Sequence, residues 1–288
     1  MEVVRLNKQR LATMPKPARQ VIALGFFDGV HKGHQRVIAR ARQLADERHV
    51  PLAVMTFNRH VSRVFNTSRT TDFRYLNTIS QKLALLAQNH VDTTYVIDFD
   101  RDFAGIAPEK FVNAYLIGLN ACGVVGGFDY TFGRGGQAGI GDMPGFNHQA
   151  FDVAIVAELD QARQKIGSTQ IRSLIKHGQI NRANALLGHR YALAGQLVRL
   201  DDRPVARLNM ASRLQQLPPR GAYDCQLKLG NLNLTGVLHV TDHGLFVESV
   251  GLLKDQLFMA NGYRKLEVAI VQQHVTKQVA FPEQIAAI

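Results

Sequence analysis

Between about Val21 and Val156 the chain alternates short apolar runs with stretches of helical period, and this alternation admits few folds. "VIALGFF", "PLAVMTF", "TTYVIDF", "CGVVGGF" and "DVAIV" have the length and β-branched content of buried strands. Between them, "HQRVIARARQLADER" sets Val37, Ile38, Ala41, Leu44 and Ala45 on one helical face. "PEKFVNAYLIGL" does the same with Phe111, Val112, Tyr115 and Leu116 behind Pro108, a residue suited to a first helical turn. Strand and helix in alternation predict an α/β domain with a doubly wound parallel sheet.

After Tyr191 the period changes. "YALAGQLVRL", "AYDCQLKL", "LTGVLHV", "GLFVES" and "KLEVAIVQQ" read as strands, with turn signals at Gly230-Asn231 and Asp242-His243-Gly244. This predicts a small all-β barrel. The intervening "STQIRSLIKHGQINRANALLGH" reads as two short helices, the first capped by Ser168 or Thr169 and closed by Gly178, the second closed by Gly188. A boundary near Gly188 divides the chain into domains 1–188 and 189–288. There is no internal repeat and no low-complexity segment.

Composition narrows the partners. At 288 residues and 46% hydrophobic, the chain can build two cores. Its 34 Lys+Arg against 23 Asp+Glu favour an anionic ligand, and most of the excess falls before residue 185. The basic residues form no block and are not interleaved with aromatics, so nucleic acid is not expected and a small phosphorylated ligand is. Cys122 and Cys225 stand too far apart for a metal-ligand spacing or a disulfide framework and read as buried thiols. No apolar stretch reaches the ~20 residues of a spanning helix, and the N-terminus lacks a signal-peptide core. The expectation is a cytoplasmic protein without a membrane partner; a homo-oligomer is compatible with the sequence.

The segment that carries chemistry is "ALGFFDGVHKGHQRVI", residues 23–38. A strand runs into Asp28-Gly29, and His31-x-Gly33-His34 opens a helix, placing a phosphate-sized space between a strand's carboxyl end and a helix's positive end. Imidazoles three residues apart share a helix face and can reach one polyphosphate, donating hydrogen bonds while neutral and carrying charge beside an anion. The implied reaction is in-line attack on the α-phosphorus of a nucleoside triphosphate, with these donors stabilising the transition state and departing pyrophosphate. As a bare pattern H-x-G-H is weak, and two surface histidines at a helix start is the plain alternative.

"GFFDGVHKGH" resembles the nucleotide-binding motif of the nucleotidylyltransferase superfamily, in the version found in bacterial bifunctional riboflavin kinase/FAD synthetases. Further segments are similar to that family in order: "TFNRH" where it has T-F-D-P-H, then "FDRDFAGIAPEKFV", "VVGGFDYTFGRGGQAGIGD" and "IGSTQIRSLIKHGQINRANALLGHRY". The resemblance covers about Ile22 to Tyr191. It implies that Asp28, His31, Gly33 and His34 hold the triphosphate of ATP in its magnesium environment, with Asp28, His31 and His34 catalytic and Gly25, Phe26, Phe27 and Gly29 completing the ATP loop. It implies that Asp129 binds the adenosine or flavin end, although an Asx-turn role is equally open. Ser168, Thr169 and Arg172 would meet the γ-phosphate side of ATP, and the hydroxyls can serve as helix caps besides. Phe57, Asn58, His60 and Phe128 would flank the flavin; no resident metal site is implied.

The chain also departs from the family. Asn58 and Arg59 stand in place of Asp-Pro in the flavin loop, and Gly167 replaces the first serine of S-S-T. "YALAGQLV" and "LPPRGAYDCQL" are similar to riboflavin kinase strands, but where the family has G-x-x-x-G-F-P-T-A-N to bind ATP and magnesium, this chain reads "DDRPVARLNMASRL". Glu248 in "FVES" is a counterpart of the family's catalytic glutamate or a solvent-facing strand residue. The resemblance therefore implies an FAD synthetase that uses ATP, Mg2+ and FMN to make FAD and pyrophosphate, with a degenerate riboflavin kinase barrel. The alternatives are nucleotidylyl transfer to another phosphorylated small molecule and a non-catalytic flavin- or nucleotide-binding regulator.

Overall fold

The computed structural model describes residues 1–65, 73–158, 160–161, 164–200, 204–229, 232–253 and 263–274. The chain packs as two compact units, one of Met1–Phe73 with Ile79–Gly167 and one of Arg74–Thr78 with Ser168–Ile288. By packing, the helical pair after Gly167 therefore goes with the barrel, whereas the division at Gly188 follows sequence character.

The first unit comprises, in chain order, β1 (Glu2–Leu6), α1 (Lys8–Thr13), β2 (Gln20–Leu24), α2 (Lys32–Glu47), β3 (Leu52–Phe57), α3 (Val61–Phe65), α4 (Ile79–Gln88), β4 (Thr93–Ile97), α5 (Arg101–Ala104), α6 (Pro108–Phe111), β5 (Ala121–Gly127), the short pair β6 (Thr131–Phe132) and β7 (Ala138–Gly139), β8 (Asp152–Val156), and the short pair β9 (Asp160–Gln161) and β10 (Gln164–Lys165). A π-type segment, Val112–Ile117, prolongs α6. The main sheet has the order β1-β4-β3-β2-β5-β8, and each adjacent pair is parallel.

β2 shows why the sheet is covered on both faces. All five of its residues are buried. Val21 and Ala23 pack with Val37, Ile38, Ala41, Leu44 and Ala45 of α2. Ile22 and Leu24 pack with Phe111, Val112, Tyr115 and Leu116 on the opposite side. The period-2 alternation of the strand thus meets the two helical stripes read from the sequence. Beyond β2 the chain builds β3 and β4 on one side, then crosses to β5 and β8 on the other. The carboxyl end of β2 is the topological switch point, where open parallel sheets leave a crevice for ligands.

The second unit contains α7 (Ser168–Lys176), α8 (Ile180–Leu187), β11 (Ala192–Arg199), β12 (Val205–Met210), β13 (Gly221–Leu229), β14 (Leu232–Thr241), β15 (Gly244–Glu248) and β16 (Tyr263–Gln273). Its six strands close into an antiparallel barrel of order β11-β12-β15-β14-β13-β16, which leaves no open edge. Leu193, Leu197, Ala206, Leu208, Tyr223, Leu238 and Val268 belong to its core, together with Ile171, Ile175 and Ala183 of the two helices. Gly178 and Gly188 take positive φ, 74° and 77°, and end α7 and α8 as expected. Cys122 and Cys225 are free and buried. The turn expected at Gly230-Asn231 lies outside the described residues, although Leu229 and Leu232 on either side of it are paired.

One segment differs from the sequence reading. Residues 205–210, which stand where the kinase family has its ATP- and magnesium-binding segment and are not among the expected strands, form β12, paired with β11 over Ala206–Met210 and with β15 over Val205–Arg207. The segment alternates apolar with polar from Ala206 to Met210, so the barrel takes it up as a sixth strand. Asp201 to Arg203 lie outside the described residues.

Candidate active site

β2 ends at Leu24, and the backbone turns sharply before α2 begins. Phe27, Gly29 and Val30 have φ of 55°, 81° and 40°. Two non-glycine residues in the left-handed region within four positions, one of them β-branched, make a strained turn. Burial holds it: Phe27, Asp28, Gly29 and Val30 are buried, while Gly25 and Phe26 are partly so. The Val30 N–H donates to the Phe27 carbonyl at 3.3 Å, and Gln35 Nε2 donates to the Val30 carbonyl at 2.8 Å.

His31 caps α2. Its Nδ1 accepts from the His34 N–H at 3.4 Å, which leaves Nε2 to carry the donor proton of the neutral ring. Gly33 permits this fold-back, because a Cβ there would lie 3.2 Å from the His31 ring. The His31 and His34 rings stack with centroids 3.6 Å apart, and Phe27 meets His34 edge-on at 5.1 Å. His31 is only 5% exposed, so the pair is not the surface pair of the plain alternative. His34 Nδ1 is buried without a hydrogen-bond partner. Burial, then the neighbouring His31 and Lys82, hold the pKa of His34 well below its ordinary value, so the imidazole is neutral at physiological pH.

Lys82 was not legible as a site residue. It projects from α4, is 4% exposed, and donates to the Phe26 carbonyl at 2.8 Å, Thr56 Oγ1 at 3.2 Å and the Phe57 carbonyl at 3.2 Å. Its ammonium also lies 4.1 Å from the centre of the Phe26 ring. Burial pushes its pKa down to about 8, with Asp28 pulling the other way. A lysine in a helix reads as solvent-facing, and only the crossing of α4 over the ends of β2 and β3 turns it inward.

The segment expected at the flavin follows β3. Phe57 packs edge-on against Phe99 at 5.5 Å. Asn58 Nδ2 donates to Asp98 Oδ1 at 2.8 Å, and Asn58 Oδ1 accepts from the Phe99 N–H at 3.0 Å, so its amide is engaged by the loop after β4. His60 stacks on Phe73 at 4.1 Å and meets Phe26 edge-on at 5.1 Å, which joins this loop to the one after β2. Phe128, 45% exposed, follows β5, the strand beside β2, and Asp129 next to it is exposed.

Within the second unit, Ser168 and Thr169 occupy the first turn of α7, and Arg172 Nη2 donates to Thr169 Oγ1 at 3.2 Å. Glu248 ends β15, with its Oε2 3.2 Å from His239 Nε2. Arg207 and Asn209 of β12 face outward.

A sequence profile of the FAD synthetase family matches residues 13–170. The chain belongs to the FAD synthetase family. The matched residues span the switch-point loop, the histidine pair and the start of α7. Among similar proteins, a bifunctional riboflavin kinase/FMN adenylyltransferase of Bacillus subtilis is 31% identical over 254 residues, covering 86% of this chain and 80% of its own. One of Listeria monocytogenes is 40% identical over 184 residues, covering 64% and 58%. A second Listeria protein, named FAD synthetase, is 27% identical over 257 residues, covering 84% of this chain and 92% of its own. A solved structure described as a macrolide-efflux protein of Streptococcus pneumoniae superposes with a TM-score of 0.83 at 26% identity, covering 95% of this chain and all of that one. No helix among the described residues is long and apolar enough to cross a membrane.

Proposed function

We propose that the stacked histidines at the exit of β2 carry the transfer of the adenylyl group of ATP to FMN. An oxygen of the FMN phosphate attacks the α-phosphorus of ATP in line. The bond to the bridging oxygen breaks, FAD forms, and pyrophosphate leaves. ATP enters as its magnesium complex, the ion being held chiefly by phosphate oxygens. The observation that carries this reading is the stacked His31–His34 pair, His31 buried and His34 partly so, at the positive end of α2, beside the crevice of the switch point. His31 Nε2–H and the neutral imidazole of His34 donate to phosphate oxygens as charge moves toward the leaving group. Asp28, Gly29 and Gly33 shape the turn that holds the triphosphate.

Phe57, His60 and Phe128 are proposed to receive the isoalloxazine, with Asn58 shaping their loop through Asp98 and Asp129 serving the adenosine or flavin end. Ser168, Thr169 and Arg172 are proposed to bind the γ-phosphate side of ATP. The reaction belongs to domain 1–188, in the cytoplasm. No covalent enzyme intermediate is needed: the buried amine of Lys82, beside Phe26 of the loop, has all three protons engaged.

The barrel domain 189–288 is proposed to have lost riboflavin kinase activity. The ladders of β12 take up backbone groups that a phosphate cradle would need, Arg207-Leu208-Asn209-Met210 supplies bulk where glycine would let the backbone approach, and Asn209 lacks a preceding threonine hydroxyl. Incubation with FMN and Mg-ATP should yield FAD and pyrophosphate one for one. Trapping of an adenylylated protein, or absence of FAD, would overturn the reading.

A further inference from the structure

Among the described residues, Lys82 is the one buried lysine or arginine, and the reaction above does not use it. Its three protons are spent on three acceptors from two strands: Phe26, two residues past the end of β2, and Thr56 and Phe57 at the end of β3. Thr56 completes the knot, since its hydroxyl donates to the same Phe26 carbonyl at 2.8 Å. Phe26 begins the turn that leads to Asp28 and His31, and Phe57 begins the loop that leads to Asn58 and His60. The Phe26 ring is gripped from two sides, by the ammonium at 4.1 Å and by the edge contact with His60 at 5.1 Å.

An ammonium with every proton engaged is neither a base nor a nucleophile. Burying it is costly, and a buried lysine is tolerated where its hydrogen bonds are complete. A hydrophobic side chain would fill the same space without that cost, so what the lysine adds is directional: it fixes two carbonyls from neighbouring strand ends against one point.

We propose that Lys82 is a positioning residue, a brace that sets the distance between the triphosphate loop after β2 and the acceptor loop after β3, and so aligns the attacking phosphate with the α-phosphorus. In-line transfer is steeply sensitive to such alignment, and a displacement of about 1 Å can cost on the order of 10²-fold in rate. The brace touches neither reactant, so its loss should appear in turnover more than in binding.

The inference rests on the FAD synthetase reading, and the wild-type protein tests that reading first, by forming FAD. Against that reference, K82M should lower kcat about 10- to 100-fold while the KM for ATP changes less than about threefold, and K82R should recover part of the loss. The pH profile adds a readout that simple packing would not move. Among the described residues, the ionisable groups coupled to Lys82 are Asp28 on the turn and His34 on α2, with His60 across the Phe26 ring, while Thr56 and Phe57 of β3 offer none. Wild-type kcat should fall as the pH rises through about 8, where Lys82 loses its proton, whereas K82R should hold its rate there. Should K82M fail to fold, T56V decides: it removes the hydroxyl shared by Lys82 and Phe26 and should lower kcat several-fold, with T56S close to wild type. A folded K82M or T56V with wild-type kcat would overturn the proposal, as would a K82M whose only defect is a raised KM for ATP.

Discussion

The imidazole of His34 lies nearly parallel to that of His31, with planes 19° apart and centroids 3.6 Å apart. Two cations could not share that separation in so enclosed a turn without strong repulsion, so the stack disfavours a charge on both rings, and burial together with His31 and Lys82 keeps His34 neutral. The stack also makes each ring the wall that orients the other.

Replacing either ring should therefore cost turnover. H31A and H34A are each expected to lower kcat by roughly 10²–10³, the usual loss for one donor aimed at transition-state charge. Folding should survive, as judged by circular dichroism. Wild-type turnover in either variant would return the motif to a structural role.

The lowered pKa of His34 sets a pH dependence of stability. An unfolded chain binds a proton at this histidine below about 6.5, while the folded chain resists doing so until the pH is well lower. The stability carried by the neutral ring is thus complete above 6.5 and is lost as the pH falls below it. Denaturant titrations between pH 7.5 and 5.5, run as a series on wild type and H34N, should show the wild type losing more stability over that interval. Parallel curves would refute the assignment.

Asn58 and Asp98 form a matched donor and acceptor. N58D would set a second carboxylate against Asp98 and remove the donating amide. Because Asn58 is exposed, the expected loss is small, on the order of 0.5–1 kcal/mol at pH 7. The KM for FMN should rise more than that for ATP. A variant with equal stability and an unchanged KM for FMN would show that the amide does not hold the loop.

With riboflavin and Mg-ATP as the only substrates, no FMN should accumulate beyond about 1% of the rate of FAD synthesis from FMN, if the paired backbone of β12 replaces the phosphate cradle as proposed. Chromatography separates the flavins directly. Steady FMN formation at a comparable rate would mean that the barrel builds its ATP site by another route.

Much of the α/β unit could be read from the chain because its signals are local. Val37, Ile38, Ala41, Leu44 and Ala45 lie at helical spacing and are the five buried residues of α2. Where the signal was weak or non-local, the reading stopped short. β1 is a five-residue edge strand, mostly exposed, with little alternation to reveal it. β12 did alternate, yet it is short and was not among the strands read from the sequence, and ladder pairing with β11 reveals it. Lys82 and Thr56 could not have been found by period at all, since their partners are main-chain carbonyls brought together only by the crossing of α4 over two strands.

The five residues Arg74–Thr78 count with the second unit although chain on both sides of them belongs to the first. Tyr75 exchanges backbone hydrogen bonds with Leu214 and Gln216 at 2.8 Å each, and Leu76, 1% exposed, sits in the core that includes the barrel. In evolutionary terms this stitch makes the barrel hard to discard. A gene shortened after Gly167 would encode a protein with an orphaned leucine and unpaired peptide groups in the middle of its sequence. A lineage that no longer needed a second chemistry would thus be driven to keep the domain and let its surface drift, while its interior stayed under selection.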